Sequence, residues 1–250
     1  MKIDVTPPTP AGPLLTMIAE DVTAVMRNDP AARSALEVVT AYPGLHAIWL
    51  HRLAHTMWTG GQQTSARLLS NLNRFLTGIE IHPGAVLGRK VFIDHGMGVV
   101  IGETAIVGDG CLIYKGVVLG GTKLEPGKRH PTLGAGVVVG SNACVLGNIQ
   151  VGDRARVGSG SVVVKDVPAD ATAVGVPGRI VSTVKNSAPL DHGALPDPVA
   201  TVMRSLLTEL EGLKHRVEQL EHPGEPVATS QDDHPHDQLD AILFEGLNER

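Results

Sequence analysis

A chain of 250 residues with 42% hydrophobic composition has room for one or two domains and an ample core. Its net charge of −5, with no basic run, argues against nucleic-acid binding. No apolar run approaches the roughly 18 residues of a membrane span, and the N-terminus lacks the charged-then-apolar pattern of a signal peptide. These features predict a soluble, cytoplasmic protein. The 2 cysteines, Cys111 and Cys144, read as small buried residues and not as a disulfide framework.

Residues 1–13 hold four prolines and predict a flexible lead-in. A helical domain follows over 14–78. Its first helix carries Leu15, Ile18, Val22 and Val25 and stops at Asn28-Asp29-Pro30. Asp29 is placed to cap a second helix, with Pro30 at its first position and Leu36 and Val39 on its apolar side. Tyr42-Pro43-Gly44 turns into a third helix, with Ile48, Leu50, Leu53 and Met57, ending near Gly60-Gly61. The fourth runs from about Thr64 to Thr77 with Leu68, Leu69, Leu72, Phe75 and Leu76, and stops at Gly78. His51 and His55 stand four residues apart, a spacing that can hold a metal. With no Glu-x-x-His framework beside them, they read as half-buried residues of a helix bundle.

Residues 79–185 carry a period of six. Ile81, Leu87, Ile93 and Val99 are followed, two residues later, by Ile101, Val107, Ile113 and Leu119. Leu133, Val139, Val145, Val151, Val157 and Val163 restart the series. All fourteen are aliphatic, and Gly follows eight of them, so the repeat is not an ordinary valine-rich sheet. The pattern predicts a parallel β-helix in which each unit gives a short strand and a turn, and three units close a coil of about eighteen residues. The thin coil explains the scarcity of aromatic residues, at 3%. Two breaks interrupt it, one placed between Val99 and Ile101, the other an insertion over 122–132 carrying Lys123, Lys128, Arg129 and His130. Such departures tend to be functional. The coil is expected to end at Val164-Lys165-Asp166-Val167-Pro168.

The tail, 186–250, begins with a linker to about residue 198. Val199, Met203, Leu206, Leu210, Leu213, Val217 and Leu220 then alternate steps of four and three, a heptad seam on a helix of about 199–221. It suits either a coiled coil or an amphipathic helix folded back on its own subunit. Residues 222–238 are polar and rich in His and Pro, as in disordered segments, and 239–247 form a short apolar end.

His95 follows Asp94 in a turn, where it need not face the core. An imidazole titrates near neutrality and serves as a general base, best when a carboxylate fixes its tautomer. Glu80 lies nearly one coil earlier, at about the same part of the triangle. Arg129 and His130 could clamp a carboxylate.

Several stretches carry a family resemblance: Ile79-Glu-Ile-His-Pro-Gly-Ala, Ile93-Asp-His-Gly-Met-Gly-Val-Val-Ile-Gly-Glu-Thr-Ala, Val118-Leu-Gly-Gly-Thr, Lys128-Arg-His-Pro, Val145-Leu-Gly-Asn-Ile and Ala173-Val-Gly-Val-Pro-Gly-Arg. Over about residues 18–182 the chain closely resembles serine O-acetyltransferases of bacterial cysteine biosynthesis. The resemblance implies an α+β protein: a helical domain, a left-handed parallel β-helix of hexapeptide repeats and a helical tail, assembled as a homotrimer. It implies transfer of an acetyl group from acetyl-CoA to the hydroxyl of L-serine. His95 becomes the catalytic base and Glu80 its carboxylate partner, with Asp94 on the substrate ammonium and Arg129 and His130 on its carboxylate and hydroxyl. Acetyl-CoA is implied between subunits, near Gly121, Thr122, Gly140 and Ser159, with Lys165 and Arg179 as phosphate contacts. No metal, nucleic acid or membrane is expected.

Two departures stand out. The extra N-terminal residues that join two trimers in longer members are missing, so a hexamer is not expected. The acidic pocket residue of the helical domain in some members aligns with Arg33 here. Members of this kind also dock an apolar C-terminal residue into O-acetylserine sulfhydrylase. The ending Gly246-Leu247-Asn248-Glu249-Arg250 would bury a charge there, which predicts weak docking or none. On the residues alone, three other readings stay open. They are an acetyltransferase with another small acceptor, a β-helix zinc hydratase needing three histidines, and a non-enzymatic scaffold trimer.

Overall fold

The computed structural model describes residues 3–9, 12–182 and 198–221. The linker, the polar segment after residue 221 and the C-terminal apolar end lie outside the described residues. The chain forms two compact units, residues 1–196 and 197–250.

In the first unit, four helices lead into the coil: α1 (Leu14–Asn28), α2 (Ala35–Ala41), α3 (Pro43–Thr59) and α4 (Gln63–Thr77). Asp29 does not cap α2. Ser34 does, its Oγ accepting the Glu37 N–H at 3.2 Å, while Asp29 accepts the Ala31 N–H within the preceding turn. The apolar side of α2 also differs from expectation, since Val38 is buried and Leu36 and Val39 are exposed.

The coil has three faces. The first sheet stacks β1 (Glu80–Ile81), β4 (Val100–Ile101), β7 (Val118–Gly120), β10 (Cys144–Leu146) and β13 (Val162–Val163). The second stacks β2 (Val86–Leu87), β5 (Ile106–Val107), β8 (Thr132–Leu133) and β11 (Gln150–Val151). The third stacks β3 (Phe92–Asp94), β6 (Leu112–Tyr114), β9 (Val138–Val139), β12 (Arg156–Val157) and β14 (Thr172–Val174), and ends in the antiparallel β15 (Arg179–Ser182). All other pairings are parallel, and the whole is a left-handed β-helix of about five turns. The aliphatic residue of each unit ends or centres its strand and points into a core built almost wholly from Val, Ile, Leu and Ala. Each fully buried aliphatic side chain contributes about 1.5–3 kcal/mol.

Register locates the two breaks. Val100 pairs with Val118, Glu80 with Val100 and Ile106 with Thr132, spacings of 18, 20 and 26 residues. Val99 therefore belongs to no strand. It fills the corner above Ile79, and the two extra residues sit earlier, in the Asp94–Gly98 turn that holds His95. The coil also continues beyond Val163. Val167 bridges Val151, and β14 closes a fifth turn.

The lead-in is not loose. The backbone N–H groups of Thr6 and Thr9 donate to Asp153 Oδ1 at 2.8 Å and Asp109 Oδ1 at 3.0 Å, and both threonine hydroxyls bond the same carboxylates. Asp109 and Asp153 stand two coils apart, roughly 9–10 Å of strand stacking. Three residues of extended polyproline backbone span about the same length, so the strap's threonines meet carboxylates in step.

The helices cover the outer face of the third sheet, where Val25, Val38 and Leu45 pack on Phe92, Leu112 and Val138. Gly44 allows α3 to start against β3, because a Cβ there would lie 2.0 Å from the Ile93 carbonyl oxygen. This docking brings the turns around Asp29 and Tyr42 to the end of β3. In α4 the buried face is small and polar: Ser70 Oγ donates to the Ile81 carbonyl at 2.7 Å and Asn73 Nδ2 to that of Ala47 at 2.9 Å. Leu68, Leu72, Phe75 and Leu76 instead face outward, 51–85% exposed.

The second unit is described by α5 (Pro198–Glu221). No helix among the described residues is long and apolar enough to cross a membrane.

Candidate active site

The polar residues gather at two different corners of the coil. The corner between the third and first sheets holds Asp94 and His95. His95 has a left-handed backbone (φ 59°), a conformation that costs a non-glycine residue about 1 kcal/mol or more and recurs at functional sites. Its ring is 74% exposed, with Nε2 3.8 Å from Asp94 Oδ1. Tyr42 Oη donates to Asp29 Oδ2 at 2.6 Å, and Asp29 lies close enough to act on Asp94. Burial pushes the Asp94 carboxyl above its ordinary range. His95 opposes this and the Asp29 carboxylate adds to it. The bond to Asp29 and then burial raise the Tyr42 hydroxyl to about 12. Tyr114, paired with Asp94 in the ladder, is raised by burial and then by the two carboxylates. Two carboxylates that raise one another's energy, one bonded to Tyr42 and the other laddered with Tyr114, suit a bound cation. Asp29, not Arg33, is thus the acidic residue that the helical domain brings here. Arg33 instead donates its N–H to Glu37 at 3.1 Å at the start of α2.

Glu80 stands one coil below the His95 turn, as expected: Gly98 N–H donates to the Gly78 carbonyl at 2.9 Å and Glu80 pairs with Val100. The expected Glu80–His95 pair is nevertheless not the one formed in the protomer. The Glu80 carboxylate lies 3.1 Å from Arg74 Nη1, because α4 ends just before β1 and puts Arg74 within reach.

The corner between the first and second sheets holds the other group. The insertion lies back on the coil beneath it, and Thr104 fastens it there. Thr104 Oγ1 accepts the N–H groups of Arg129 at 3.0 Å and His130 at 3.2 Å, and lies 2.9 Å from His130 Nδ1. The Thr104 N–H also donates to Nδ1, at 3.2 Å. A ring nitrogen that accepts a backbone N–H carries no proton, so the neutral ring presents Nε2–H as a donor. Burial, then Arg129, lowers the His130 pKa and keeps the ring neutral. Gly102 leaves space for it, since a Cβ there would lie 2.1 Å from Nε2. Arg129 Nη2 bonds Glu103 Oε2 at 2.5 Å, and this bond holds the Glu103 carboxyl below its ordinary range. Lys128 Nζ donates to the carbonyls of Thr104 and His130, both at 2.7 Å, and burial lowers it to about 8. Neighbouring His82 packs edge-on to Trp58 and is lowered to about 4 by burial and then by Arg67. The sequence reading missed Glu103 and Thr104 as working residues, although both lie in a quoted family motif.

The six residues expected at acetyl-CoA divide in the same way. Gly140 and exposed Ser159 stand in stacked turns at the His95 corner, while Gly121, Thr122 and exposed Lys165 stand at the His130 corner. Arg179, also exposed, lies on β15. His51 and His55 are turned toward the backbone of Ala85 and Pro83. Among the described residues no group of three or more His, Cys, Asp or Glu is arranged to hold a metal ion.

Residues 130–165 match the bacterial transferase hexapeptide (six repeats) model. Serine acetyltransferase of Synechococcus elongatus is 56% identical over 208 residues, covering 82% of this chain and 85% of that protein. The chain belongs to the serine acetyltransferase family. Among solved structures, the family member from Neisseria gonorrhoeae superposes with a TM-score of 0.68 at 41% identity, covering 69% of this chain and 68% of that one. The same enzyme in complex with serine gives 0.66 at 41% identity, covering 68% and 69%.

Proposed function

We propose that the chain is a serine O-acetyltransferase that moves an acetyl group from acetyl-CoA to the hydroxyl of L-serine, and that its site is completed by a second copy in a homotrimer. Family membership at 56% identity carries the activity. The split of the polar residues between two corners supports the assembly: under threefold symmetry one corner of each copy faces the other corner of the next. The outward apolar face of α4 also suits coverage by another copy.

In this reading, Asp94 and Asp29 hold the serine ammonium, which relieves their mutual repulsion. Arg129 and the Nε2–H of His130 hold its carboxylate. His95 takes the hydroxyl proton as the oxygen attacks the thioester carbonyl carbon. The C–S bond then breaks, and the proton on His95 can pass to the departing thiolate, giving O-acetylserine and CoA. Glu80, once turned from Arg74, would steady the imidazolium. Backbone N–H groups near Gly120-Gly121 would face the oxyanion. The phosphates of CoA would meet Lys165 and Arg179, and its chain the backbone near Gly121, Thr122, Gly140 and Ser159.

A CoA-release assay across L-serine, other amino acids and sugars tests the reading. L-Serine should be the preferred acceptor, and turnover with a sugar but not with serine would overturn it. Light scattering should give a trimer; a stable monomer with full activity would overturn the shared site.

A further inference from the structure

We propose that α5 is one strand of a parallel, in-register coiled coil made with the same helix of other copies of this chain. The helix has 24 residues. Met203, Leu206, Leu210, Leu213, Val217 and Leu220 form a single seam and are 48–79% exposed. Their steps of three and four alternate, so positions recur every seven residues, the repeat that keeps a seam facing a partner along a supercoil. Gly212 sits inside the helix with open space around it, at a cost of about 1 kcal/mol relative to Ala. A helix with a mid-length glycine and an uncovered seam draws its stability from packing.

The flanking charges identify the occupant. With Met203, Leu210 and Val217 at the a positions, Glu209 and Arg216 fall at g and Lys214 and Glu221 at e. In a parallel pair each g residue meets the e residue five positions later on its neighbour. Glu209 then meets Lys214 of a second copy, and Arg216 meets Glu221, so both contacts join opposite signs. An antiparallel pair centred on the same seam retains Glu209 against Arg216 but sets Lys214 against Leu207. A twofold axis crossing the seam would instead relate antiparallel helices, so the flanking charges, and not symmetry, carry the direction. That the strands number three rests on the trimer proposed above; their direction and register do not.

The test uses the full chain with one cysteine added: Met203→Cys or Leu220→Cys on the seam, or Glu211→Cys outside it, with the unmodified chain as control for Cys111 and Cys144. In a parallel in-register coil both seam cysteines link to themselves and the outer one does not. In an antiparallel pair neither self-links, because residues 203 and 220 lie about 25 Å apart along a helix. On the Leu220→Cys background, Glu209→Lys should slow cross-linking about fivefold at low salt. Adding Lys214→Glu should restore it. Self-links at both seam positions with rescue by the charge swap support the proposal. Cross-links only between a Met203→Cys chain and a Leu220→Cys chain overturn it in favour of antiparallel pairing. No cross-links from particles that scatter light as trimers overturn the coiled coil and leave the shared active site standing. Monomers would overturn both.

Discussion

Replacing Thr104 by valine keeps the side-chain shape and removes the oxygen that pins the insertion to the coil. Three contacts disappear: those of Oγ1 with the Arg129 N–H, the His130 N–H and His130 Nδ1, at 3.0, 3.2 and 2.9 Å. Each is worth about 0.5–1.5 kcal/mol net. The site is only part-buried, so water can take over some of the loss, and about 2 kcal/mol in total is a reasonable expectation. That loss falls on the loop that presents Arg129 and the donor Nε2 of His130. About 1.4 kcal/mol of it, expressed in serine binding, raises the serine KM by about tenfold. Steady-state CoA release with serine varied should show this rise, with little change in the KM for acetyl-CoA, and Thr104→Ser should recover most of it. Unaltered serine kinetics in Thr104→Val would refute the claim that Thr104 positions His130.

His95→Ala should lower kcat by about 10²–10⁴ while CoA still raises the melting temperature, and near-normal turnover would remove His95 from the chemistry. The fully buried His51 is lowered to about 3 from an ordinary 6.5 by burial and then by His55, so the unfolded chain takes up a proton that the folded chain refuses. Stability should be full above about pH 6.5 and fall as the pH drops toward 3. His51→Gln should flatten that slope in urea titrations, and an unchanged slope would place the loss elsewhere. Replacing Thr6 and Thr9 together by valine should remove the two hydroxyl bonds to Asp153 and Asp109, leave the backbone N–H bonds in place, and cost about 1–2 kcal/mol. Equal urea midpoints for variant and parent would show that the two hydroxyls contribute no stability.

The period of six was legible because each coil imposes the same local demand: one inward aliphatic residue, then a tight corner. Any residue that met that demand could be read without knowing its neighbours, so thirteen of the fourteen aliphatic positions fall in strands. Val99 misled because it is equally aliphatic and buried, but serves a corner. The unusual turn at His95 and the insertion before His130 were visible as interruptions of that local rule.

Tertiary structure alone decided what those interruptions face. Thr104 and His130 lie 26 residues apart and meet only because the insertion folds back one coil, which no periodicity reports. Asp29 comes near enough to act on Asp94 because the helices dock on the third sheet, a proximity made by packing and not by spacing. The apolar stripe of α4 was plain in its residues, but amphipathicity does not say which partner a face meets. In the protomer the polar side of α4 packs inward, its hydroxyl and amide groups satisfying backbone carbonyls, and the leucines face out. The sequence alone determined the coil and marked His95 and His130. Only the folded chain showed that the two stand at different corners, because each corner's position around the triangle depends on the register of every coil beneath it.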